Sequence, residues 1–403
     1  MKYAVVLGDG MADWKIDELG GKTCLEAAKT PLFDKLAPLA EVGLCTTVPA
    51  GFKPGSDVAN MSVLGFNPAD FYTGRSPLEA VSMGIHLSPS DVTLRCNLVT
   101  LSDAESYENK VMLDYSAGEI STEEAAELIG YVNENLGDER FQFFAGTGYR
   151  HCLVIKSGAT GAILTPPHDI SDKPVTGHLP NGVNSGIYAD LMKKSYKLLK
   201  NHPVNLKRIK QGKKPANSIW LWGEGTKPAL ADFEKLRGLK GGIISAVDLV
   251  KGIGMLADMK IIEVDGMTGN YDTNFLGKAN AAADELLGGL DFVYIHMEAP
   301  DECGHHGDFK HKVYSIEKVD EVAQTLIKRL EAAGEDFAVL VCPDHPTPCA
   351  IKTHVSEPVP YMIYCNKAHL ANGAKRYTED EAKATGLYVP HGHKLIEKLF
   401  AVK

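Results

Sequence analysis

The sequence predicts an α/β protein: a sheet core covered by helices, with a smaller α+β domain inserted into it. Three observations carry that expectation. Short apolar runs alternate with helix-like runs at both ends of the chain, the block 88–213 breaks that rhythm, and metal-ligating side chains recur just after the apolar runs. The expected core is therefore 1–87 together with 214–403, and the insert is 88–213.

The elements follow in order. YAVVLG (3–8) reads as a strand, CLEAAKTPLFDKLAPLA (24–40) largely as helix, and VGLCTTVPA (42–50) as strand-like. Within the insert, TLRCNLVTL (93–101), FQFFAG (141–146), HCLVIK (151–156) and GAILT (161–165) read as short strands. Helices are expected at 121–136 and 185–199, the first opened by a capping box of Ser121 and Glu124. The long polar segment 168–186 is expected to be a functional loop, because structureless loops of that length are rarely idle. After it come SIWLW (218–222), GGIISA (241–246), a helix at 247–256, KIIEV (260–264), a helix near 277–287, DFVYIHM (291–297), a long helix at 312–334, DFAVLV (336–341) and YMIYC (361–365). That last stretch has the αβ alternation of a parallel sheet. No internal repeat is visible.

Composition sets the class. At 403 residues and 44% hydrophobic content, the chain can bury a large core in two or three domains. A net charge of -10 argues against a general nucleic-acid or anionic-membrane surface, so any phosphate site must be built locally. The first residues lack a secretory apolar region and no run reaches the length of a membrane span, which makes the cytoplasm the expected location. Eight cysteines without a CxxC pair read as free thiols. The spacings of Cys303 to His305 and Cys342 to Asp344 leave a thiolate zinc site open, although the paired short spacings of structural zinc are missing.

Candidate ligands gather after the core strands. Asp9 follows YAVVLG, Asp301 and His305 follow DFVYIHM, and Asp344, His345 and His354 follow DFAVLV. In a parallel sheet those loops leave one edge, so residues far apart in sequence converge there. The prolines at 343, 346 and 348 stop the last strand and confine Asp344, His345 and His354 to a loop. Mixed carboxylate and imidazole donors suit Mn²⁺, Zn²⁺ or Mg²⁺, and these groups exceed what one ion needs, so two ions are expected. His296, inside a strand, and His306 are read as non-ligands. Ser56, between Gly55 and Asp57 where a helix should begin, is either an N-cap or a nucleophile. At a helix N-terminus beside a cation its hydroxyl could attack phosphorus.

These stretches together carry a resemblance. GDGMAD with Asp9, PGSDVANMSVLGFNP with Ser56, YTGRSPLEAVSMGI, TPPHDISDKPV, EAPDECGHHGD and PDHPTPCAIKTHVSEPVPYMIY resemble the cofactor-independent phosphoglycerate mutases, in their archaeal-type branch of the alkaline phosphatase superfamily. The match runs along essentially the whole chain in the right order. It implies an alkaline-phosphatase-like core whose insert closes over a small phosphoglycerate. It also implies that Asp9, Ser56, Asp344 and His345 hold one metal, that Asp301, His305 and His354 hold the second, and that Ser56 is transiently phosphorylated. No bisphosphoglycerate would be required.

A phosphate and a carboxylate need basic partners, and the candidates are Arg75, Arg150, Lys173 with His168 and Asp169, and Lys251. His168 or Asp169 is also a candidate acid–base group. The longer bacterial branch has more arginines in its insert, so the carboxylate clamp does not map directly. Rival readings are a phosphatase, phosphodiesterase or phosphopentomutase with the same metal pair, a small-alcohol kinase, and a non-catalytic metal-binding module. The kinase lacks support, since neither GxxxxGK[ST] nor GxGxxG is present. The oligomeric state and the choice of metal are not written in the sequence.

Overall fold

The structure is a computed structural model that describes residues 1–402. Its contacts divide the chain into two compact units, Met1–Tyr72 with Leu230–Lys403, and Thr73–Ala229.

The first unit is built on an eight-stranded sheet. Its order is Lys260–Ile261, Gly241–Ile244, Phe292–Met297, Lys2–Gly8, Phe337–Cys342, Val359–Cys365, Glu41–Cys45, Tyr388–Val389. The first five strands run parallel, and Val359–Cys365 is antiparallel to both of its neighbours. Lys2–Gly8, Phe292–Met297 and Phe337–Cys342 are apolar almost throughout because helices cover both faces. The principal core joins Val6, Val293, Ile295 and Val339 to helical Ala279, Leu286, Val319 and Leu326. Lys2–Gly8 lies between Phe292–Met297 and Phe337–Cys342, so their three C-terminal ends are adjacent. The ligand-bearing segments start there.

The second unit is an antiparallel five-stranded sheet centred on Val92–Leu101. Helices Thr122–Leu136 and Ser185–Leu199 bury Leu128, Ile129, Leu191 and Met192 against it. Two elements extend this unit beyond 88–213. Ser76–Ser82 is helical, with Ser76 Oγ 2.9 Å from the Thr93 carbonyl, and Ser218–Thr226 pairs along Val92–Leu101. The run at 218–222, expected in the core sheet, therefore belongs to the insert's sheet. Local sequence identified it as a strand but could not identify its partner.

Other details differ from expectation. The stretch 24–40 is two short helices, Cys24–Ala27 and Pro31–Leu36, followed by a 3-10 turn, because Thr30 and Pro31 start a new helix. Ser121 accepts the Glu124 N–H, but the Glu124 carboxylate bonds to Arg208, so only half of the capping box forms. Segment 168–186 is interrupted by a 3-10 turn at Pro167–Ile170 and a short strand, Asn181–Gly182. No helix among the described residues is long and apolar enough to cross a membrane.

Candidate metal centre and anion site

All seven expected ligands come from the first unit. Asp9 directly follows Lys2–Gly8. The next residue, Gly10, has φ +60, and a Cβ there would sit 2.6 Å from Asp301 Oδ1 and 2.8 Å from Asp301 Cα. Only glycine lets the two ligand-bearing segments approach so closely. Asp344 and His345 follow Phe337–Cys342 on the proline-interrupted loop, as expected. Asp301 and His305 do not lie on a loop: they stand one turn apart on helix Ala299–His306, facing the same way.

The geometry forms two overlapping clusters. Ligand atoms of Asp301, His305 and His354 lie within 4.8 Å of one another, as do those of Asp9, Asp301 and His345. His305 Nε2 is 2.8 Å from His354 Nε2 and 3.3 Å from Asp301 Oδ2, and His354 Nε2 is 3.4 Å from Asp301 Oδ1. Two imidazole nitrogens and a carboxylate thus point at one small volume. In the second cluster His345 Nε2 is 3.6 Å from Asp9 Oδ1, 3.2 Å from Asp344 Oδ2 and 3.1 Å from Ser56 Oγ.

Ser56 is the first residue of helix Ser56–Val63, where the first N–H groups have no partner within the helix; that of Val58 bonds Asp57 Oδ1 at 3.0 Å. Gly55 supplies the cap position and offers no side-chain bond. Ser56 is therefore not the N-cap.

The electrostatics favour cations. Burial, reinforced by the charges of Asp344 and Asp301, pushes the Asp9 carboxyl well above its usual range. Burial also acts to raise Asp301, but hydrogen bonds from His305 and His354 outweigh it and hold that carboxyl well below normal. The bond to Asp301 raises His305 to about 9. Asp9 Oδ1 is buried without a hydrogen-bond partner. An orphaned buried carboxylate oxygen opposite an imidazole nitrogen is what a divalent ion would satisfy, so this donor set fits the expected metals.

Sequence reasoning missed the residues that hold the ligands. Asn60 Nδ2 donates to Asp344 Oδ2 and to the Ser56 carbonyl, both at 2.9 Å, while its Oδ1 accepts the Tyr294 hydroxyl at 2.6 Å. The Thr347 hydroxyl donates to Asp301. His296, read as a non-ligand, lies 2.8 Å from Asp9 Oδ2. The thiolate alternative finds no geometric support, since neither Cys303 nor Cys342 enters a ligand cluster among the described residues. Asp13, Cys24 and Cys349 do converge, but the Lys312 ammonium already pairs with Asp13 at 2.8 Å.

The second unit gathers three of the six anion-binding candidates. Glu79 bonds Arg75 Nε through one oxygen and Arg95 Nε through the other, each at 2.8 Å. The Arg95 guanidinium lies 4.2 Å from the Trp222 ring centroid, and His168 packs against that ring at 5.3 Å. Burial and then Arg95 and Arg75 act in opposite directions on Glu79, with the arginines prevailing and lowering it, helped by Arg150. Three guanidinium groups thus act on this one carboxylate. Burial lowers Arg95 to about 10, so it stays charged at neutral pH. Arg95, Glu79 and Trp222 were not foreseen, although an arginine within an apolar strand was the available signal.

The other three candidates are not drawn into this group. Asp169 lies 3.6 Å from His168 but is exposed, and Lys173 Nζ bonds the Asp169 carbonyl at 3.0 Å. Lys251 belongs to the first unit and pairs with Glu263 at 3.1 Å.

The chain is similar to known proteins along its whole length. Residues 37–205 match the model of a family described as 2,3-bisphosphoglycerate-independent phosphoglycerate mutase. A protein of that name from Methanosarcina barkeri is 47% identical over 405 residues, covering 100% of both chains. A probable 2,3-bisphosphoglycerate-independent phosphoglycerate mutase from Geobacter sulfurreducens is 48% identical over 400 residues, covering 99% of each. Among solved structures, a Pyrococcus horikoshii protein superposes with a TM-score of 0.83 at 29% identity, over 99% of this chain and 96% of that one. The cofactor-independent phosphoglycerate mutase of Thermoplasma acidophilum shares the fold, with a TM-score of 0.67 at 23% identity over 99% of both chains.

Proposed function

Because the chain belongs to the 2,3-bisphosphoglycerate-independent phosphoglycerate mutase family, we propose that it interconverts 2- and 3-phosphoglycerate through a phosphoserine at Ser56 beside two divalent ions. The observation that carries this reading is the Ser56 hydroxyl 3.1 Å from His345, which clusters with Asp9 and Asp301 and lies 3.2 Å from Asp344, while Asp301 also clusters with His305 and His354. Asp9, Ser56, Asp344 and His345 would hold one ion, and Asp301, His305 and His354 the other. When bound, divalent ions withdraw charge from the serine oxygen and from the phosphoryl oxygens.

Ser56 Oγ loses its proton as it attacks phosphorus, the bond from phosphorus to the glycerate oxygen breaks, and that oxygen takes up a proton in exchange. The glycerate then presents its other hydroxyl, which loses its proton as it attacks the phosphoserine; the bond from phosphorus to Ser56 Oγ breaks and the serine is reprotonated. The helix N-terminus at Ser56 directs its N–H groups toward the phosphoryl oxygens. Water must be excluded throughout, because hydrolysis of the phosphoserine would turn the mutase into a phosphatase. We assign that exclusion to the insert, and recognition of the substrate's anionic groups to Arg75, Arg95 and Arg150 with His168. What supports this is the gathering of three guanidinium groups around Glu79 and, for Arg95, its burial.

The test is a coupled assay of 3-phosphoglycerate conversion with added Mn²⁺ and without bisphosphoglycerate or ATP. Appearance of 2-phosphoglycerate supports the reading, and free phosphate as the sole product overturns it. Ser56→Ala should abolish turnover while Mn²⁺ binding largely persists, and wild-type turnover in that variant would refute the nucleophile.

A further inference from the structure

We propose that His296 is a positioning residue that fixes the Asp9 carboxylate so that a single oxygen faces the metal. The proposal rests on the two-metal reading above.

His296 is fully buried on Phe292–Met297, beside the strand Lys2–Gly8 that Asp9 follows. Its Nε2 lies 2.8 Å from Asp9 Oδ2, and its Nδ1 lies 3.2 Å from Ser245 Oγ. Ser245 Oγ also accepts the Val247 N–H at 3.0 Å. A metal ligand must be an ionised carboxylate, which only accepts hydrogen bonds, so in the metal-binding state Nε2 carries the proton facing Asp9. In a neutral ring Nδ1 is then an acceptor, and its donor is the Ser245 hydroxyl. One Ser245 lone pair takes the Val247 N–H. Every donor in this chain then has an acceptor.

The consequence falls on Asp9. With Oδ2 held by His296, the carboxylate cannot rotate freely, and Oδ1 is left buried, without a hydrogen-bond partner, 3.6 Å from His345 Nε2. That free oxygen is the one a metal would take. Tyr294, two residues earlier and therefore on the same face of the strand, acts in parallel through Asn60 on Asp344. One strand that supplies no ligand thus orients two carboxylates that do. A histidine that merely filled space would need neither the donor toward Asp9 nor the serine behind it.

The experiment is a Mn²⁺ titration of the full chain stripped of metal, with free Mn²⁺ followed by electron paramagnetic resonance. Wild type, His296→Leu, His296→Gln and Ser245→Ala are compared. Outer partners of metal ligands are worth about 10–100-fold in affinity, so His296→Leu should weaken one of two bound ions by at least about tenfold and leave the other near wild type. The glutamine amide can still donate to Asp9, and His296→Gln should recover most of that loss. Ser245→Ala, which frees the tautomer, should fall between the two.

The proposal is overturned if His296→Leu binds both ions like wild type, or if His296→Gln loses as much as His296→Leu. Should the leucine variant not fold, unchanged binding in Ser245→Ala overturns it. A wild-type chain that binds fewer than two ions refutes instead the two-metal reading, and the proposal falls with it.

Discussion

Replacing Lys312 with methionine should be the most destabilising simple change near the metal centre. Lys312 Nζ is fully buried and bonds Asp13 Oδ2 at 2.8 Å, the Thr347 carbonyl at 2.8 Å and the Ala12 carbonyl at 3.3 Å. It thereby joins the segment after Asp9 to the loop that carries Asp344 and His345. Methionine fills similar volume but leaves Asp13 as a buried carboxylate without its cation. Breaking a buried pair in this way costs about 3–5 kcal/mol, and the two orphaned carbonyls add to it non-additively.

The remaining acceptances by Asp13, from Trp14 N at 2.7 Å and Cys349 N at 3.3 Å, offset only part of that. A net loss of about 4 kcal/mol is expected, or a fall of roughly 8–16 °C in the apparent Tm for a unit of this size. Melting should be followed by circular dichroism in the presence of a chelator, so that bound metal does not mask the difference. The double variant Lys312→Met, Asp13→Asn keeps the acceptor for both backbone donors and removes the unpaired charge. It should regain at least half of the loss. A single variant melting within about 2 °C of wild type, or a double variant no more stable than the single, would refute the buried-charge argument.

Two further predictions follow from groups outside the cage. Burial raises the Glu379 carboxyl from 4.5 to about 7, while Thr23 Oγ1 donates to it at 2.7 Å. A raised carboxyl favours the protonated folded state, so its stabilising contribution is complete below pH 4.5 and is lost as pH rises through 7. Glu379→Gln should therefore raise the apparent Tm more at pH 8 than at pH 5, and equal shifts at both would contradict the assignment. Arg95→Ala should raise the KM for 3-phosphoglycerate about tenfold or more, the size expected for losing one charged contact to an anion, and Arg95→Lys should recover little of it. An unchanged KM in a folded Arg95→Ala variant would remove the arginine group from substrate recognition.

The convergence of the candidate ligands was legible because chemistry and topology left the same mark. Asp9, Asp344 and His345 each follow a run apolar enough to be a buried parallel strand, and parallel strands deliver their C-terminal ends to one edge. Asp301 and His305 were legible as residues but not as a helix. Their place just after a strand-like run suggested a loop, whereas Gly304 lets the helix pack there, because a Cβ would meet the Thr347 carbonyl oxygen at 2.5 Å. Their four-residue spacing was the unused helical signal.

Strand pairing was the hidden part of the fold. SIWLW reads equally well in either sheet, and only its register against Val92–Leu101 decides which unit owns it. Asn60, Thr347 and His296 were hidden for a related reason: their roles lie in the atom each one faces. A ligand announces itself by residue type, whereas a residue that aims a ligand can be any donor that reaches it. Reading such residues from sequence requires the strand register first. Once Leu7 is paired with His296, the histidine is placed two residues from Asp9 across adjacent strands, and its partner is no longer arbitrary.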